Sequence, residues 1–200
     1  MSRELYAAGE GYVLYPPEDI DRDNFVELQR QINGGSTLFL MPMIKDIMWD
    51  AILSKSSTET DKYYSIYEDN GEYCGCIELQ KYQSDTPEIG LNLVESKRNQ
   101  GIAAKVVKLL VQKSCLERNI DYFLIRIMSN NPHSKHVFEK MGAVSIGEED
   151  RPFVVFMDEL KKTMCEDSIS QIYDTVKARM DDGDENEFVY RYKLSPEAFL

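Results

Sequence analysis

Residues 88–103 constrain the fold of this chain more than any other stretch of its 200 residues. The β-rich run Glu88-Ile89-Gly90-Leu91-Asn92-Leu93-Val94 leads into a polar turn, Arg98-Asn99-Gln100-Gly101-Ile102-Ala103, and the chain leaves that turn as a helix. Val106, Leu109, Leu110 and Leu116 recur as the buried stripe of a helix that ends near Asn119. The unit is strand, turn, helix, and the segments on either side of it read as the rest of one sheet with its helices.

Upstream, Tyr12–Tyr15 is an extended run stopped by Pro16-Pro17, which remove two backbone donors, so it reads as an edge strand. Phe25, Leu28 and Ile32 recur at helical spacing, and Ile44, Ile47, Met48, Ala51 and Ile52 form a second apolar stripe, giving two helices before the main sheet. Tyr63–Tyr67 and Tyr73–Lys81 read as a hairpin around Asp69-Asn70-Gly71. Downstream come a strand at Tyr122–Met128, a helix from about Pro132 to Met141 and a short strand at Ala143–Ile146. Ile169, Ile172, Val176 and Met180 repeat at helical spacing up to the acidic, glycine-broken Asp181–Glu185, and Phe188–Leu194 returns as a last strand. The segment 148–186 exceeds a short connection and reads as a helical insertion. A chain of this length supports a single domain, 1–200.

The turn at residues 98–103 carries the chemistry. The first NH groups of a helix lack intrahelical partners, the helix dipole adds partial positive charge there, and Gly101 lets the backbone approach an anion closely. Such a turn suits a pyrophosphate, although one glycine in a polar turn is also how an ordinary helix begins. Its surroundings are more specific: the strand from Glu88 precedes it, and Asn131-Pro132-His133-Ser134-Lys135-His136-Val137-Phe138-Glu139-Lys140-Met141-Gly142-Ala143 follows the next strand. This arrangement resembles the GNAT superfamily of acyl-CoA N-acyltransferases, in which Arg or Gln, two residues, Gly, one residue, and Gly or Ala precede a helix. Arg98, Gly101 and Ala103 match that motif, while Asn131, Ser134, Lys140 and Gly142 fit a second one, with Ala143 where the family usually has Phe.

The resemblance implies an α/β fold with a mixed, largely antiparallel central sheet flanked by helices, and the insertion before its last strand. It implies that the backbone of Leu91, Asn92 and Leu93 pairs with the pantetheine arm of acetyl-CoA as an added strand would. Arg98, Asn99, Gln100, Gly101, Ile102 and Ala103 would wrap the pyrophosphate, and Asn131 would meet the pantetheine or thioester end. The implied reaction is direct attack of a primary amine on the acetyl thioester in a ternary complex. An exposed amine is mostly protonated at neutral pH, so a base must take its proton, and Glu88 is the candidate. A backbone NH at Leu93 or its neighbours would stabilise the oxyanion. Phe138 stands where the family often has a Tyr that protonates the leaving thiolate, and it cannot donate a proton.

The remaining signals mostly exclude. A formal net charge of −12 disfavours a nucleic-acid binder and suits cationic partners. No apolar stretch reaches membrane-spanning length and the start lacks a leader pattern, so the expected location is cytoplasmic. Cys74, Cys76, Cys115 and Cys165 lack metal-finger spacing, and His133 and His136 lack a third ligand, so no metal is expected. Met41, Met43, Met48 and Trp49 are explained by core packing or by an adaptable acceptor pocket. The added helices could cover that pocket or form a homodimer contact. The acceptor expected is an amine on a small molecule, a peptide N-terminus or a lysine; the other reading is a catalytically silent CoA-binding or interaction module.

Overall fold

The computed structural model describes residues 3–35, 40–56, 60–150 and 188–200. Among these, strands form where β-branched and aromatic residues alternate between turn signals. They are β1 (Ala7–Gly9), β2 (Tyr12–Tyr15), β3 (Lys62–Glu68), β4 (Tyr73–Gln80), β5 (Glu88–Leu93), β6 (Phe123–Met128), β7 (Val144–Asp150) and β8 (Phe188–Leu194). The helices are α1 (Arg22–Ile32), α2 (Pro42–Ser56), α3 (Ile102–Glu117) and α4 (Pro132–Lys140). The strands make one sheet in the order β1-β2-β3-β4-β5-β6-β8-β7. Every neighbouring pair is antiparallel except β5 with β6, which is parallel because α3 carries the chain back between them. The sheet is therefore mixed and largely antiparallel, as the family resemblance implied.

Two apolar layers sandwich it. On one face Val106, Val107, Leu110 and Val111 of α3 and Phe138 of α4 pack against Ile77, Leu79, Ile89, Phe123 and Ile125. On the other, Phe25 and Leu28 of α1 and Trp49 of α2 close over Cys76, with Val94 at the margin. Trp49 fixes this lid by donating its indole NH to Asp19 Oδ1 at 3.0 Å.

Several expectations change. Leu116 is 83% exposed rather than part of the buried stripe of α3. At 100° per residue the buried arc centres on Val106, Leu110 and Ser114; Leu109 sits at its margin, and Leu116 falls outside it. Ser114 takes the buried place and its hydroxyl meets Tyr6 Oη at 3.2 Å. Met41, Met43 and Ile47 are exposed, so core packing accounts for Met48 and Trp49 but not for those three. Ile32 also lies exposed at the end of α1. The strand after α4 runs to Asp150, so residues 148–150 belong to β7 rather than to an insertion. The helical stripe at Ile169–Met180 and the rest of the insertion lie outside the described residues. β1 was not expected, because Ala7-Ala8-Gly9 shows no apolar alternation.

Candidate active site

The two sides of β5 differ. Toward β4 it is paired along its whole length, from Gln80↔Glu88 to Gly75↔Leu93. Toward β6 the register holds at a single pair, Glu88↔Leu124, although both strands continue. The strands therefore diverge beyond Glu88 and leave a slot between them that opens toward their C-terminal ends. Leu91, Asn92 and Leu93 are half-exposed in the middle of an eight-stranded sheet, which such a slot explains.

Hydrogen bonding shows which backbone groups line the slot. The Val94 NH donates to Cys74 O at 2.9 Å on the β4 side, and the Leu124 NH donates to Pro87 O at 2.9 Å on the β6 side. Successive residues of a strand point their NH and C=O groups to opposite edges, so Ile89, Leu91 and Leu93 face β6. The ladder ends at Glu88↔Leu124, so Leu91 and Leu93 present their backbone to the slot with no strand of the described residues opposite.

At the mouth of the slot lies the turn into α3. Arg98, Asn99, Gln100 and Gly101 are exposed, whereas Ile102 is buried as the first helical residue and Ala103 follows it. Gly101 is the N-cap of α3 at φ 74°, and no side chain caps the helix. A Cβ there would meet nothing within 4 Å, so the cradle is open. Asn99 has φ 62°, a conformation that Asn tolerates better than most residues. The turn is held from beneath. Gln100 Nε2 donates to Ser96 O at 2.7 Å, Arg98 Nε to Leu93 O at 3.1 Å, and the Glu95 NH to Gln31 Oε1 of α1 at 2.9 Å. Lys97 Nζ lies 3.0 Å from Glu68 and 2.9 Å from Glu72, pinning the turn to the β3–β4 hairpin. These hydrogen bonds push the Lys97 pKa upward, Glu72 contributing most and Glu68 next.

Glu88 stands at the closed end of the slot, with its side chain 7% exposed. One carboxylate oxygen accepts from Arg126 Nε at 2.7 Å. The other, Oε2, is buried and has no hydrogen-bond partner among the described residues, so it is the oxygen left to a ligand or a water. Glu78 lies on the same face, and its side chain rests over Gly90: a Cβ at Gly90 would overlap Glu78 Oε1 and come 2.7 Å from its Cγ. Burial, and then hydrogen bonding to Glu78, raise the Tyr63 pKa. Glu78, Tyr63 and Arg126 were not found from sequence. The available signals were a lone Arg within the apolar alternation of Phe123–Met128 and the Glu at the second-to-last position but one of β4.

Beyond the end of β6, Asn131 caps α4, its Oδ1 accepting from the Ser134 NH at 3.0 Å. Phe138 is 7% exposed and belongs to the core. His133 and His136 are exposed on α4. Among the described residues no cluster of His, Cys, Asp and Glu could hold a metal ion, and no helix is long and apolar enough to cross a membrane.

A slot between diverging parallel strands, with an open helix N-terminus at its mouth, is a shape that an extended ligand ending in a phosphorylated group would fit. Comparison with known proteins identifies the class. The family profile of the acetyltransferase (GNAT) domain matches residues 13–144, so the chain belongs to the GNAT acetyltransferase family and is an acetyl-CoA-dependent acyltransferase. No curated protein sequence shows significant similarity to it. The fold is similar to that of spermidine N-acetyltransferase from Vibrio cholerae in complex with CoA and spermine, with a TM-score of 0.68 at 13% identity over 96% of this chain and 99% of that one. It is also similar to the dodecameric form of a Vibrio cholerae spermidine N-acetyltransferase in an intermediate state, with a TM-score of 0.66 at 15% identity over 96% and 98% of the two chains.

Proposed function

We propose that the protein transfers an acetyl group from acetyl-CoA to a primary amine by direct attack in a ternary complex. The observation that carries this reading is the single-pair junction of β5 and β6, with Glu88 at its closed end and the α3 turn at its mouth. The pantetheine arm pairs with the slot-facing backbone of Leu91 and Leu93, whereas Asn92, expected from the resemblance to share in that pairing, turns its NH and C=O to β4; the pyrophosphate rests on Arg98, Asn99, Gln100, Gly101, Ile102 and Ala103, and Asn131 meets the arm from the β6 side. The thioester then lies toward the closed end, within reach of Glu88.

Chemistry at that end needs a proton acceptor and an oxyanion donor. Glu88 Oε2, buried and not engaged by Arg126, takes the amine proton directly or through one water. A slot-facing NH of β5, at Leu93 or at Leu91 nearer Glu88, receives the developing negative charge without any side chain. Phe138 offers no proton, so the CoA thiolate leaves as such and is protonated from solvent, which its modest pKa allows. The acceptor is cationic in solution, in keeping with a net charge of −12 and with Glu78 and Glu88 on one sheet face. The structural neighbours act on spermidine, and spermine is seated in one of them, so polyamines head the panel of acceptors, followed by a peptide N-terminus and free lysine.

The first test is acetyl-CoA titration calorimetry on the wild type and on Gly101→Glu, whose carboxylate would occupy the open cradle. Saturable binding to the wild type, lost in the folded variant, is expected; a well-folded wild type that binds no acetyl-CoA would overturn the reading. Thiol release with the amine panel then separates transfer from silent CoA binding.

A further inference from the structure

We propose that Arg126, seated by Glu149, is a positioning residue that fixes the Glu88 carboxylate so that one oxygen alone, Oε2, receives the proton of the acceptor. The inference rests on the reading of Glu88 as the base. Arg126 lies on β6 two residues beyond Leu124, the last residue paired with β5, so its side chain reaches Glu88 across the point where the ladder ends. It therefore links the two strands where backbone hydrogen bonding stops doing so.

The guanidinium is held from two directions. Nε donates to Glu88 Oε1 at 2.7 Å, and Nη1 donates to Glu149 Oε1 of β7 at 3.3 Å. Glu149 Oε2 in turn lies 3.4 Å from Arg191 Nε of β8. Charges thus alternate Glu88, Arg126, Glu149, Arg191 across one face of the sheet. Side-chain exposure is 7% at Glu88, against 33% at Arg126, 32% at Glu149 and 38% at Arg191. The outer members are solvated and contribute little stability as surface pairs, so orientation of the buried member is the effect they are placed to exert. A planar guanidinium gripped at Nε and Nη1 has its plane set, and it sets the carboxylate plane in turn; an ammonium group is a point charge that cannot do this.

An ion pair serving only to neutralise a buried carboxylate would be expected to satisfy both oxygens. Here Arg126 engages Oε1 through a single nitrogen, and among the described residues none reaches Oε2. Held in this way, Glu88 does not have to find a productive rotamer at each turnover.

The test is a double-mutant cycle on the full chain: wild type, Glu88→Gln, Arg126→Gln and the double variant, with Arg126→Lys added. Thiol release is followed with acetyl-CoA and the best amine of the panel, and folding is checked by circular dichroism. Glu88→Gln should lower kcat on the order of 10²–10³-fold, as loss of a general base does. Arg126→Gln should lower kcat about 10–100-fold with KM for acetyl-CoA within about twofold, since a misplaced base slows the chemical step alone. The double variant should be no slower than Glu88→Gln, because nothing is left to position. Arg126→Lys should recover part of the loss; should Arg126→Gln fail to fold, Arg126→Lys must still fall below wild type in kcat with acetyl-CoA KM unchanged. If Arg126→Gln turns over at the wild-type rate while Glu88→Gln does not, or if the two losses multiply, positioning is refuted and Glu88 remains the base. If Glu88→Gln keeps full activity, the reading of Glu88 fails and positioning fails with it.

Discussion

The β4 side and the β6 side of β5 are built from the same six residues, yet one edge is sealed and the other is open. On the sealed edge the backbones approach so closely that Gly75 has no alternative. A Cβ there would overlap the Asn92 carbonyl oxygen and come 2.9 Å from Leu93 Cα, and the residue sits at φ 149°. On the open edge Gly101 has free space around it and needs glycine only for its left-handed φ of 74°. The first glycine serves packing and the second serves access. The comparison shows how a central strand can leave most of one edge open: β4 pairs along its whole length, while β6 holds it only at Glu88↔Leu124 and through the Arg126–Glu88 ion pair.

The largest effect should come from breaking the sealed edge. Gly75→Ala forces β4 away from β5, and overpacking against backbone of this kind costs roughly 2–3 kcal/mol. Urea unfolding should show the loss, with acetyl-CoA affinity falling too because the slot is only as straight as β5. A stability within 0.5 kcal/mol of wild type, roughly the range of a neutral surface substitution, would mean that the strands are not in the tight contact described. Next in size is a difference within one strand. The amides of Asn92 and Val94 face β4, and Val94 donates to Cys74, so they should exchange with deuterium at least about tenfold more slowly than those of Leu91 and Leu93. Acetyl-CoA should abolish the contrast by protecting the slot-facing pair. Uniform exchange along β5 without ligand would dispose of the open edge.

Much of this was legible in the sequence, because the relevant signals are local. The strand at Glu88–Leu93, the glycine that ends the turn and the helix behind it follow from periodicity and from the conformational freedom of Gly101. What could not be read depends on register and direction. Arg126 reaches Glu88 only because β6 lies parallel to β5 and pairs at Leu124, and no local pattern states that offset. Glu78 looks like an ordinary strand carboxylate until β4 places it over Gly90. Leu116 was misplaced because a seven-residue repeat drifts around a 3.6-residue helix, enough to carry a marginal position like that of Leu109 out to solvent.

The smallest predicted effect concerns how the open edge is held from the closed one. Lys97 ties the α3 turn to Glu68 at the end of β3 and to Glu72 in the hairpin. The hydrogen bond from Lys97 holds the Glu68 carboxyl below its ordinary value of 4.5. A carboxyl whose folded pKa is lowered stabilises the native state above its ordinary value, and that contribution fades as pH falls from about 4.5 through the folded value. Lys97 behaves in the opposite sense: raised above its ordinary 10.5, it contributes fully below that pH and loses its contribution only in stronger alkali. The anchor is therefore intact near neutrality and fails first on the acid side. Glu68→Gln should lower the urea midpoint slightly at pH 7, and the gap from wild type should close as pH drops below about 4.5, where the wild-type carboxyl becomes protonated as well. A gap that stays constant from pH 7 into acid would show that Glu68 acts through packing rather than charge, leaving Glu72 as the charged partner of Lys97 beside the Gln100, Arg98 and Glu95 hydrogen bonds.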